Sequence, residues 1–122
     1  SLKRRDQQRL NVENVGSVEF QIEKKVFSEK IIDISSSGVL FKHSGNISVG
    51  DEIQLTVSFL GADSSTFQVQ TKIVRVDKEY TQQKEDFFIG VVFMDFIGKG
   101  RRILDSYLKE HNLELNKMRY YI

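Results

Sequence analysis

Three arginines stand together near the start of the chain, in Arg4-Arg5-Asp6-Gln7-Gln8-Arg9. Arg5 and Arg9 form an RxxxR spacing, and Arg4 adds a further guanidinium directly before it. A guanidinium is a planar fork of fixed charge that pairs bidentately with phosphate, a geometry no Lys offers. Some two dozen residues later comes Asp33-Ile34-Ser35-Ser36-Ser37-Gly38, a DxSxxG segment that supplies a carboxylate, a hydroxyl and a glycine. Charge is distributed to match. Lys3, Arg4, Arg5 and Arg9 against Asp6 bring the first ten residues to +3, although the whole chain carries only +1. A positive arm on a near-neutral body points to a localised anion site. It argues against a general nucleic-acid binder, which carries a basic excess throughout. Taken singly, each motif is weak: RxxxR arises in many basic segments and DxSxxG in many turns.

Other chemistries are poorly provided for. The absence of Cys removes disulfides, thiolate nucleophiles and cluster sites. His43 and His111, the only histidines, lie far apart without ligand-spaced companions, so no metal site is expected. Gly98-Lys99-Gly100 lacks the spacing and the Lys-Ser/Thr ending of a phosphate loop. No Ser-His-carboxylate order or paired-carboxylate arrangement supports an enzyme. Nothing approaches the roughly 18 apolar residues of a membrane span, and no charged start followed by an apolar run suggests a signal peptide. The chain begins with Ser rather than Met, which suggests an excised fragment or a trimmed tag and leaves room for a larger parent protein.

The elements that must position these residues read mainly as strands. At 122 residues, with 39% apolar and 29% charged residues, the chain fits one soluble globular domain. Turn signals recur at Gly16-Ser17, Ser35-Ser36-Ser37-Gly38, Ser44-Gly45-Asn46, Gly50-Asp51 and Gly61-Ala62-Asp63-Ser64-Ser65. Between them apolar residues alternate: Val18, Phe20, Ile22; Ile53, Leu55, Val57, Phe59; Phe67, Val69; Ile89, Val91, Phe93. This period of two predicts half-buried strands, about six in all, enough to close a small antiparallel barrel. Around Ile73-Val74-Arg75-Val76 the alternation changes phase, which predicts a bulge or a strong bend in a long central strand. After Gly98-Lys99-Gly100 the period lengthens. Ile103, Leu104, Tyr107 and Leu108 recur at helical spacing, predicting an amphipathic helix of about three turns that ends near Asn112, after which Leu113, Leu115 and Met118 either extend the helix or pack as a tail.

The order RxxxR, DxSxxG, then the IGVxF strand in Phe88-Ile89-Gly90-Val91-Val92-Phe93, then a helix, resembles the PilZ family over nearly the whole chain. Val49-Gly50-Asp51 and Ile73-Val74-Arg75 are similar to that family's pattern as well. The resemblance implies a mainly β fold: a six-stranded antiparallel PilZ-type barrel with a C-terminal amphipathic helix and a flexible N-terminal arm. A single PilZ domain would then span 1–122, with the ligand-binding arm at 1–10, the barrel at 11–97 and the helix and tail at 98–122. It also implies a bacterial, cytoplasmic receptor for cyclic di-GMP that needs no cofactor and catalyses nothing. Its partners would be that ligand and a downstream protein or adjoining domain, with no nucleic acid polymer and no membrane insertion.

The ligand's chemistry explains why the family wants such residues. Cyclic di-GMP presents two guanines and two phosphates. Guanine O6 and N7 match the forked donors of Arg, and a guanidinium plane stacks on a purine or pairs with phosphate. Arg5 and Arg9 take these roles. Asp33 can accept from guanine N1–H and N2–H₂, an edge no Arg can read, and the Ser35 hydroxyl can donate to a phosphate or ring nitrogen. Gly38 allows either a positive φ or close approach of the backbone to the ligand. Arg4 suits a second, stacked ligand molecule, or is a solvated charge beside a functional pair. Arg75 is a weaker candidate, better read as a surface residue, and Gly90 marks tight barrel curvature. Asp33, Ser35 and Gly38 could also do no more than shape a turn. Two other functions compete. A non-binding PilZ scaffold typically loses the arginines that remain here. An RNA- or single-strand-binding barrel would display clustered aromatics on a basic face.

Overall fold

The computed structural model describes residues 9–13, 15–60, 66–80 and 85–120, with side chains of the helix described as far as His111. Seven strands precede one helix: β1 (Leu10–Asn11), β2 (Gly16–Ile22), β3 (Lys25–Ile34), β4 (Gly38–His43), β5 (Glu52–Phe59), β6 (Thr66–Tyr80), β7 (Glu85–Phe96) and α1 (Gly100–Tyr120). Every pairing is antiparallel. The order β3-β2-β5-β6-β7-β4 is closed by a direct β3–β4 pairing, so six strands form a barrel without free edges, and β1 adds to β3 beside it. The expected six-stranded barrel is therefore the observed one.

The alternation read from the sequence is the inside–outside alternation of the barrel. Val18 and Phe20 of β2, Leu55, Val57 and Phe59 of β5, Phe67, Val69 and Ile73 of β6, and Ile89 and Val91 of β7 are all buried. Each such side chain removed from water stabilises the fold by about 1.5–3 kcal/mol. Thr71 is the polar member of the inward row on β6, and its hydroxyl donates to the Ile53 carbonyl at 2.8 Å. The phase change at 73–76 is a bulge. Ile73 opposes Val91 and Arg75 opposes Gly90, which leaves Val74 unpaired and exposed. A second shift, between Ile31 and Asp33 of β3, leaves Ile32 as the extra residue there.

The hairpin joining β2 to β3 has no counterpart among the expected turns. Ile22 pairs with Lys25 around Glu23-Lys24, and Glu23 adopts a φ of 57°. Neither residue is a usual turn former, so the reversal is enforced by the strand pairing on both sides. Gly16 opens β2 rather than lying in a reversal; the turn precedes it, with the Val15 and Gly16 amides both donating to the Val12 carbonyl.

The helix takes the longer of the two courses the sequence left open. It runs 21 residues to Tyr120 instead of ending near Asn112. No Gly or Pro follows Gly100, so nothing in the local sequence stops it. The stripe read from the spacing does face the barrel: Leu104, Tyr107 and Leu108 are buried, and α1 packs on β6 and β1. The Tyr107 ring lies flat on Phe59, with centroids 3.8 Å apart and planes 9° from parallel. No helix among the described residues is long and apolar enough to cross a membrane.

Candidate functional site

The DxSxxG segment is the end of β3, a tight turn and the start of β4. Its geometry is set by backbone groups. The Ser35 amide donates to the Gly38 carbonyl at 2.9 Å, and the Ser37 amide donates to Ser35 Oγ at 3.3 Å. The Phe93 amide of β7 donates to the Ser37 carbonyl at 2.8 Å. Ser35 is fully buried, so its hydroxyl is a fixed part of the turn. Ser36 contributes its backbone carbonyl, and the Ser37 hydroxyl lies 3.3 Å from Ser35 Oγ.

From the sequence, Gly38 has two possible reasons, a positive φ or close approach of its backbone to a ligand. The structure supplies a third. The φ of Gly38 is not among the positive ones, and a Cβ here would lie 2.1 Å from the Val91 carbonyl oxygen of β7. The glycine lets β4 lie against β7 at the point where Gly38 opposes Val92.

Pairing of β1 with β3 closes the gap of two dozen residues between the motifs. Leu10 opposes Ile34 and Asn11 opposes Asp33, which sets Arg9 beside the turn. Arg9 Nε donates to the Asp33 carboxylate, and Arg9 Nη1 donates to Ser35 Oγ at 3.2 Å. Leu10 is buried in the core. The C-terminal end of the expected arm is thus sheet rather than free chain, because Leu10 has an apolar place to go. Arg4 and Arg5 lie outside the described residues.

These groups open onto a cleft of about 340 Å³, whose lining includes Arg9, Asp33, Gly38, Val74, Arg75 and Gly90. Arg75, read from the sequence as a surface residue, lies on the cleft wall. Its side chain is 62% exposed and pairs with Asp77. The bulge is the cause, since Val74 as an extra residue turns Arg75 opposite Gly90. Gly90 in turn makes room for it: a Cβ there would stand 3.1 Å from the Arg75 Cβ. Curvature is therefore only half of what Gly90 does. Val74, not selected from the sequence, presents an apolar surface, 49% exposed, in the same cleft. The only signal for it was the phase change in the strand.

The arrangement combines a guanidinium, a carboxylate, a second guanidinium and an apolar patch on one rigid wall. Arg9 uses Nε and Nη1 internally, and its fork has further N–H donors on Nη2. The Asp33 carboxylate receives Arg9 through Oδ1 and can accept more than one donor. Such a wall suits a planar, acceptor-rich anion that also donates to a carboxylate. His43 is elsewhere: it is buried against Phe20 and Phe27, and its Nδ1 meets Glu29. No cluster of metal-ligating residues occurs among the described residues. A larger groove of about 550 Å³ runs beside the first turns of α1, lined by Lys99, Arg102, Ser106 and Lys109 among others. None of the described motif residues lines it.

Comparison with known proteins bears on the family and the fold. Residues 3–110 match the family model described as PilZ domain. No curated protein matches the sequence significantly. Among solved structures, that of K. pneumonia MrkH in its apo state is similar with a TM-score of 0.75 at 14% identity, covering 91% of this chain and 52% of that one. The PilZ domain with c-di-GMP of YcgR from Escherichia coli is similar with a TM-score of 0.62 at 11% identity, covering 98% of this chain and 99% of that one. The Borreliella burgdorferi PlzA protein, in complex with c-di-GMP, is similar with a TM-score of 0.59 at 17% identity, covering 95% of this chain and 57% of that one. The chain spans about half the length of MrkH. At these identities the likeness is one of fold.

Proposed function

Because the chain belongs to the PilZ domain family, we propose that it is a receptor domain for cyclic di-GMP and acts by binding rather than by catalysis. The observation that carries this reading is that the β1–β3 pairing brings Arg9 and Asp33 together on one cleft, with the buried Ser35 hydroxyl bonded to Arg9 behind them. The roles follow from the chemistry. Arg9 offers its remaining donors to a guanine O6/N7 edge or to a phosphate, and Arg5 provides the second fork of the RxxxR pair. Asp33 accepts from the guanine N1–H and N2–H₂ edge, and Ser35 holds Arg9 in place from within the turn. Gly38 serves the site through the fold, by letting β4 lie against β7 where the turn ends. Arg75 and Val74 extend the same wall, one for charge and one for packing against a purine face. Arg4 favours a second ligand molecule stacked on the first.

Ligand occupancy becomes a signal by ordering the segment before Arg9 over the barrel, where an adjoining domain or a separate protein reads it. The competing scaffold reading leaves unexplained why Arg9 and Asp33 meet at a cleft.

Calorimetric titration tests the proposal. The protein should bind cyclic di-GMP saturably and respond weakly or not at all to GTP and to single-stranded RNA. Removing one bidentate Arg–guanine pairing costs about 1–3 kcal/mol, so Arg5→Ala with Arg9→Ala should weaken binding by about two orders of magnitude while the fold survives. An intact wild-type protein that gives no heat with cyclic di-GMP rejects the receptor reading.

A further inference from the structure

One carbonyl of the β3–β4 turn is held from outside the sheet. The Gly38 carbonyl receives the Ser35 amide and the Ser37 carbonyl receives the Phe93 amide, but the Ser36 carbonyl is met by Arg101 Nη1 of α1 at 2.6 Å. These residues are 65 positions apart in sequence. Arg101 is itself fixed from two sides. Its guanidinium lies over the Phe96 ring at 5.2 Å, and its Nε faces the Asp105 carboxylate at 3.4 Å. A cation in the first turn of a helix opposes the helix dipole, and the first turn of α1 contains no acidic residue to offset it. The position is therefore poor for the helix, and what Arg101 gains there is the charge-assisted bond to the turn.

We propose that Arg101 is a positioning residue for the cleft, bracing the DxSxxG turn from behind and tying it to α1. This rests on the receptor reading for its ligand, though not for its geometry. The path is short. Arg9 donates to Ser35 Oγ, Ser35 is followed directly by Ser36, and the Ser36 carbonyl is held by the helix. The helix also touches β1, whose Leu10 follows Arg9. Both halves of the cleft thus lean on one helix, and a ligand that shifts the turn shifts α1 with it.

The test compares wild type with Arg101→Ala, Arg101→Lys and Asp105→Asn, using amide exchange and calorimetry with cyclic di-GMP. Without ligand, the Ser35 and Ser37 amides should exchange faster in Arg101→Ala. Affinity should fall about tenfold, the size of one missing charge-assisted hydrogen bond, with partial recovery in Arg101→Lys. Ligand should protect the first turns of α1 in wild type and in Asp105→Asn, but not in Arg101→Ala. If Arg101→Ala only lowers the melting temperature, with turn exchange, affinity and helix protection unchanged, the proposal is wrong. If the wild type does not bind cyclic di-GMP, the receptor reading fails, and exchange at Ser35 and Ser37 in Arg101→Ala still decides whether Arg101 positions the turn.

Discussion

Of the residues around the cleft, Gly38 is the one whose identity the barrel itself dictates. The Val91 carbonyl oxygen occupies the space a side chain would need, and neither strand can yield without breaking its ladder. Gly38→Ala should therefore destabilise the fold by about 1–3 kcal/mol, the usual cost of overpacking. It should appear as a lower urea midpoint with an unchanged slope. Stability equal to wild type would mean that β4 and β7 have slack at this point. Asp33, Ser35 and Gly38 were legible as one motif, but the reason for the glycine was not, because the atom it avoids lies more than fifty residues away in sequence. Arg75 is the surface residue the sequence suggested, and its place beside the cleft was hidden for a related reason. An arginine in a strand is usually solvated, and only the pairing partner Gly90 reveals which wall it occupies.

At the scale of elements, the smallest one has the largest consequence. β1 is two residues long, yet it decides where Arg9 points. Leu10 anchors it by burial, and the pairing with Ile34 sets its register. Leu10→Ala should weaken cyclic di-GMP binding by up to the about 1–3 kcal/mol that a single Arg–guanine pairing is worth, although Leu10 has no polar side-chain atom to offer the ligand. Calorimetry, with circular dichroism to check the fold, measures this. Unchanged affinity would show that β1 does not position Arg9. The barrel strands and the bulge were readable because burial on one face imposes a period of two, and an extra residue shifts its phase. The β2–β3 hairpin and the last turns of α1 were not. The hairpin lacks a turn-forming pair, and past Asn112 the sequence neither stops a helix nor displays a clear stripe.

For the molecule as a whole, one wall of the site is rigid and built by the barrel, and the remaining arginines belong to the segment that precedes it. The number of ligands per chain is a property of that combination. With Arg4 present, titration should give a stoichiometry of two, and Arg4→Leu should reduce it to one while binding of the first ligand persists. A value near one for both proteins would assign Arg4 to the solvent.

The amino-acid order was enough to determine a small closed β-barrel followed by an amphipathic helix, the family, and the two motifs that belong together. Those features rest on periodicity and on local spacing, which a linear chain carries openly. Tertiary structure alone decided that Arg9 meets Asp33 and Ser35, that Arg75 and Val74 face the same cleft, and that α1 grips the Ser36 carbonyl. Each of these depends on strand register or on packing between distant segments. A shift of one residue in a ladder would turn the same side chains to the opposite face.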